Sequence, residues 1–162
     1  SAGGYLFRRG MYTFFQRTSP YPMLMTFDSP DSNQCTVQRS SSNTPLQALT
    51  VWNDPVFVEC AQALGRKIVT DAGPADSNGD VLPHRLRYAF SLCLARQPHE
   101  AELRALMELY RKQADLLVDK AQAVEAIIGK SPVPEGITKT ELAAWVMVGR
   151  TLLNLDEFIT RE

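Results

Sequence analysis

The stretch TKTELAAWVMVGRTLLNLDEFI, residues 138–159, decides the fold. Thr138 and Glu141 have the spacing of a capping box, in which each side chain satisfies a backbone N–H of the first turn. Behind that start signal the residues are apolar on most sides of a helix. A helix of this kind is stable only at the centre of other helices, because it has no face to give to water. Arg150 and Asn154 are the polar exceptions and lie four apart on one face. Buried polar groups need partners, so both are expected to bond to a loop or to a helix end.

Working outward, KSPVPEGI at 130–137 reads as a linker, and Gly129 before it as the C-cap of a long helix over about 98–128. Leu103, Met107, Tyr110, Ala114, Leu117, Ala121, Val124 and Ile128 alternate four and three apart along it. This a/d pattern suits an antiparallel hairpin inside the domain, with a homodimer seam through 103–128 as the other use. Arg96-Gln97-Pro98 is a tight connection, and Pro98 is expected to open the long helix. A helix over about 83–95 precedes it and presents Leu86, Ala89, Phe90, Cys93 and Leu94. AGPADSNGDV, 72–81, is rich in turn residues.

Further back, two cap signals follow each other. Asn43-Thr44-Pro45 and Asn53-Asp54-Pro55 each set a capping side chain before a proline, which starts a helix but cannot continue one. They predict a short helix from Pro45 and a second over 55–71, with Phe57, Cys60, Ala61, Leu64 and Ile68 on one face. Before them lies an arm. Residues 5–16 suit a short extended segment or a first helical turn. A loop then runs to Asn43, with Met23, Leu24, Met25 and Phe27 available to pin it to the core. Loops this long are uncommon inside compact domains and are usually functional or disordered. The sum is a mainly α protein: a bundle of about five helices with a long irregular N-terminal arm packed on it, residues 1–44 forming the arm and 45–162 the bundle of one domain.

Composition agrees with a globular domain. The chain has 162 residues, 44% hydrophobic and 22% charged, with a formal net charge of −1. That balance argues against a dedicated nucleic-acid binder, which concentrates Lys and Arg. No apolar run is long enough to span a bilayer. No signal peptide is visible, and Ser1-Ala2-Gly3-Gly4 reads as the edge of an excised piece.

No motif fixes a reaction. Gly129-Lys130-Ser131 ends like a phosphate loop, but Val124 stands where the first glycine belongs and a helix precedes it rather than a strand. His99-Glu100 starts like a zinc-protease helix, but Leu103 stands at the second histidine. Cys35, Cys60 and Cys93 have no metal or haem spacing; Cys60 and Cys93 read as small core residues, and Cys35 sits in the polar loop. Asp28 and Asp31 flank Pro30 at a spacing that suits either turns or a calcium loop, although the EF-hand glycine is missing. A Cys35 nucleophile needs a base that no nearby histidine supplies. Arg39 suits an ion pair with Asp28 or Asp54, or an anion site at the helix start near Thr44. If the arm builds a binding site, its residues are Asp28, Asp31, Cys35, Arg39, Asn43, Gln47, Asn53 and Asp54.

RRGMYTFFQRTSPYPMLMTFDSPDSNQCTVQRSSSNTPLQALTVWNDPVFVECAQALGRKI (8–68), LRYAFSLCLARQPHEAEL (86–103) and ELAAWVMVGRTLLNLDEFITRE (141–162) together resemble the planctomycete-type, PSD-type C-terminal domain of unknown function. FDSPDSNQC, SNTPLQAL and LNLDEFITRE are the most specific parts. The resemblance implies an exported multidomain protein with a cytochrome-c-like module, hence an extracytoplasmic place and partners among the other domains, with polysaccharide as a second partner class. It carries no catalytic residue set. This chain has no CxxCH, so no cofactor is expected in it and any haem belongs elsewhere in the parent. The expectation is a structural and interaction module without catalysis of its own. The alternative is a carbohydrate-related enzyme or ligand-binding domain with its site in residues 26–54.

Overall fold

The computed structural model describes residues 10–14, 16, 18–30, 35–37, 42–72 and 80–160. Among them are eight α-helices: α1 (Pro22–Thr26), α2 (Pro45–Asn53), α3 (Pro55–Asp71), α4 (Val81–Leu94), α5 (Glu100–Leu117), α6 (Ala121–Ile128), α7 (Lys139–Leu153) and α8 (Asp156–Thr160). A 3₁₀ turn at Gly10–Tyr12 precedes them.

The central helix is α7, as its all-round apolar sequence requires. Leu142, Ala143, Ala144, Trp145, Val146, Val148, Gly149, Leu152 and Leu153 are all buried. The capping box forms: Thr138 Oγ1 accepts the Glu141 N–H at 3.2 Å, and Glu141 Oε2 accepts the Thr138 N–H at 2.9 Å. Around α7 stand α3, α5 and α6. The core falls into three sections. Ile68, Leu86, Phe90, Cys93, Trp145 and Leu152 fill the first, with Trp145 tilted against Tyr110 at 4.6 Å between ring centres. Leu117, Val124, Ile128 and Leu142 fill the second, and Val51, Ala61, Val146 and Leu153 the third.

Two glycines set the closeness of α3 and α7. A Cβ on Gly65 would stand 2.9 Å from the Val146 backbone nitrogen, and one on Gly149 would stand 3.3 Å from the Ala61 carbonyl oxygen. Neither obstacle is a flexible side-chain end, so both positions need the smallest residue.

Both proline-and-cap signals hold. Thr44 caps α2 in a full capping box with Gln47, and Asp54 caps α3, which spans the expected 55–71. A proline alone starts a helix where only loop was expected: Pro22 is the first residue of α1, and Tyr21 before it makes no side-chain cap. Near the start of the arm, Gly10–Tyr12 turns rather than extends.

The long helix expected over 98–128 is corrected to two. Helix α5 ends at Leu117, and α6 begins at Ala121. No proline or glycine lies between them; the cause is length. A straight helix over 100–128 would run about 43 Å at about 1.5 Å per residue, whereas the 15 residues of α7 give about 22 Å of surface to cover. Breaking the helix lets Val124 and Ile128 turn back onto Leu142 and Ala143. Consequently the a/d stripe is used inside the domain. Leu103, Met107 and Tyr110 pack on the first core section, and Leu117, Val124 and Ile128 are buried in the second. The continuous seam that a homodimer through 103–128 would need is therefore not formed. Pro98 does not open α5 either; His99 is its N-cap and shares a capping box with Glu102.

Candidate functional site

The arm is held to the bundle by one buried amide. Gln47, on the inner face of α2, is 1% exposed. Its Nε2 donates to the Thr26 carbonyl at 2.8 Å and to Asp28 Oδ2 at 3.2 Å. Its Oε1 accepts the Thr44 N–H at 2.8 Å. Asp28 Oδ2 also accepts the Ser42 hydroxyl at 2.7 Å and the Ser42 N–H at 2.9 Å. The Ser42 hydroxyl is the main reason the Asp28 carboxyl sits below its ordinary range; the Ser42 amide and Gln47 add to it, against a smaller opposing effect of desolvation. Asp28 adopts φ 56°, left-handed backbone that aspartate tolerates better than most residues. Thus the two ends of the 28–42 segment meet at one carboxylate, which α2 clamps through Gln47.

The remaining candidates of the arm go separate ways. Asn43 Nδ2 donates to Asp156 Oδ1 at 2.6 Å and ties the arm to α8. Asn53 Nδ2 donates back to the Leu49 carbonyl at 2.9 Å. Asp54 Oδ1 accepts the Val56 N–H at 2.8 Å as the cap of α3. Cys35 is an exposed free thiol. Asp31 and Arg39 lie outside the described residues, and with them the ion pair expected of Arg39. Of the eight, the structure brings Asp28 and Gln47 together, with Asp28 Oδ2 taken by Gln47 and Ser42 and the Gln47 amide by Asp28, Ser42 and nearby backbone.

Cys93 is buried, and desolvation pushes its thiol up to about 11; Cys60 is half-buried and raised for the same main reason. Both fit the core role read from their spacing. Among the described residues no group of three or more His, Cys, Asp and Glu is placed to hold a metal ion.

Arg150 finds the helix end expected of it. Its Nη2 donates to the Trp52 carbonyl in the last turn of α2, and its guanidinium lies 4.3 Å from the centre of the Trp52 ring. Asn154 does not: its Oδ1 is buried without a hydrogen bond. A second charged cluster joins α4, α5 and α8. Arg96 donates to Glu102 at 2.8 and 3.0 Å and to Glu157 at 2.7 and 2.8 Å. The Arg96 guanidinium, helped by the His99 N–H, holds the Glu102 carboxyl down at about 2. Every partner here lies within the protein, so the cluster is a brace.

One open cleft, of about 910 Å³, runs between the outer face of α3 and the turn after α6. Glu59, Cys60, Gln62 and Arg66 line one wall, Gly129, Lys130 and Ser131 the other, and Asn53 an end. A neighbouring depression of about 650 Å³ continues past the same turn to Lys139. Apart from Asn53, none of the described arm candidates lines the cleft. Sequence reading missed it because its walls are about 65 residues apart, as the Gln62–Ile127 bond shows. The local signal was Gly129-Lys130-Ser131, which follows helix α6 and not a strand.

No curated protein and no solved structure matches the chain. One family model does, over residues 1–110: PSD1, protein of unknown function (DUF1553). The match ends inside α5, so the 141–162 stretch that also carried the resemblance lies past it. Residues 1–110 are well over half of the 162, and the chain belongs to the PSD1 family of proteins of unknown function.

Proposed function

We propose that this chain is a structural and interaction module of an exported, cytochrome-associated multidomain protein, and that it docks other domains of that protein without catalysis of its own. The observation that carries this is the distribution of exposed apolar side chains. Of the twelve large hydrophobic residues exposed among the described residues, eight fall in the arm and α2: Met11, Tyr12, Phe14, Tyr21, Met25, Val37, Leu46 and Leu49. Apolar surface concentrated in one part of a chain marks a surface that another body covers. Among the described residues of the same region, Asp28 and Gln47 bond within the clasp, Asn43 bonds to α8, Asn53 bonds back to its own helix, and Asp54 caps α3. Membership of the PSD1 family supports a shared domain role, and the extracytoplasmic place and a haem elsewhere in the parent come from the resemblance alone.

The test is calorimetric titration of this chain with the rest of its parent protein, expressed separately. Saturable binding that Phe14→Ser and Leu49→Ser together weaken is the expected result. No binding, or turnover of polysaccharide or redox substrates by the isolated chain, overturns the reading. Binding to insoluble polysaccharide instead would transfer the role to the runner-up, a carbohydrate-related domain.

A further inference from the structure

The cleft beside α3 has cations without acidic partners. Arg66 is half-buried, and its one hydrogen bond runs from Nη1 to the Ile128 carbonyl at 3.4 Å. That single long contact leaves most of the N–H groups of the guanidinium without a partner in the protein. Lys130 faces it from the opposite wall. Among the described residues neither makes an ion pair, whereas Lys67, Lys112, Lys139 and Arg96 all do. Glu59 is the acid of the cleft, but it lies seven residues from Arg66 on α3, roughly 10 Å along the helix. Glu125 lines the neighbouring depression beside Lys130 and Ser131, but it is paired with Lys139 at 3.0 Å, so the end of the cleft holding Arg66, Lys130 and the Ser131 hydroxyl has a cationic excess.

The wall carrying Lys130 is also fixed in place. Gly129 has φ 70°, and a Cβ there would stand 2.7 Å from Gln62 Oε1. Gln62 in turn donates from Nε2 to the Ile127 carbonyl at 2.9 Å. Backbone conformation and lack of space both demand glycine, so the turn is seated on Gln62 and presents Lys130 and Ser131 at a set height.

We infer that the cleft between α3 and the α6–α7 turn binds a compact oxyanion, held by Arg66, Lys130 and Ser131. The shared chemistry is a phosphate, sulfate or carboxylate group; a guanidinium and an ammonium on opposite walls, with a hydroxyl donor, suit a tetrahedral oxyanion best. The arrangement is distinct from a nucleotide phosphate loop, since helix α6, and not a strand, precedes the turn and the ion would be held by side chains.

The experiment is an amide NMR titration of the whole chain with inorganic phosphate, with sodium chloride added to hold ionic strength constant. Saturable shifts at Arg66, Gly129, Lys130 and Ser131 are expected. Lys130→Gln should weaken binding about threefold, the scale of one partly exposed charge contact, and Glu59→Gln should strengthen it. Both residues are exposed, so neither variant threatens the fold. Sulfate and acetate titrations then separate a tetrahedral preference from a general carboxylate one. Shifts that rise linearly with phosphate, or that chloride reproduces, or that both variants leave unchanged, mean an adventitious ion only and overturn the inference.

Discussion

At the scale of single residues, Gln47 joins the arm to the bundle. It is an amide sealed from water, and three of its neighbours depend on it: the Thr26 carbonyl, the Asp28 carboxylate and the Thr44 N–H. Replacing it by leucine keeps the bulk and strands the Thr26 carbonyl and the Thr44 N–H, while Asp28 keeps its two bonds from Ser42. Gln47→Leu should therefore cost about 2 kcal/mol in urea unfolding, the scale of an unsatisfied buried polar group. It should also admit protease within residues 18–30 while the helices stay intact. A variant as stable and as protease-resistant as the natural chain would show that the clasp holds nothing. The sequence announced the caps at Thr44 and Asp54 because a cap is a local bond between residues two or three apart. It could not announce Asp28 with Ser42, fourteen residues away, or show that Gln47 serves both the capping box and the arm. For the same reason the arm candidates looked like a site: Ser, Asn, Asp and Gln are the vocabulary of turns and of binding alike.

Helices raise different questions, of fit and of charge. Gly65 sits where α3 crosses α7, and an added methyl would meet the Val146 backbone at 2.9 Å. Alanine is a better helix former than glycine by about 1 kcal/mol, yet overpacking against backbone costs about 1–3 kcal/mol. The second effect wins because Val146 belongs to the fully buried centre. Gly65→Ala should thus lower the thermal midpoint, and a raised midpoint would mean that α3 and α7 can part at no cost. The Arg96 brace has a pH signature. Glu102 has a folded pKa of about 2 against an ordinary 4.5, so it favours the fold above about pH 4.5 and loses that contribution as pH falls toward 2. Glu102 is about a third exposed, which moderates the size of the effect. Urea unfolding at falling pH should be less steep for Glu102→Gln than for the natural chain over that window; equal slopes would remove Glu102 from the acid response. Helix positions were the most legible feature, since period and cap both mark them. The break after Leu117 was not, because no breaker residue records it: it answers the length of α7, a fact of assembly.

For the whole molecule, the family match and the fold divide the chain differently. The matched residues 1–110 include α3 and α4, but the helix on which they pack lies at 139–153. A chain ending at residue 137 keeps every matched residue and loses Trp145, Val146, Val148 and Leu152, which belong to the first and third core sections. Such a chain should show no cooperative thermal transition, whereas the full chain should show one; a sharp transition in the shortened chain would mean that α3–α6 make a core without α7. The balanced charge and the all-round apolar character of α7 were readable at once. The cleft beside α3 was not, since its walls come from distant parts of the chain.

The late place of α7 also sets a clock during synthesis. It begins 68 residues after α3 ends. At about 5–20 residues per second, the face of α3 destined for Val146 waits roughly 3–14 seconds for its partner. Through that interval Ala61, Leu64 and Ile68 have α2, α4–α6 and water to meet, but not the helix that completes their cover. The first half of the bundle is therefore made well before the helix that it is built to surround.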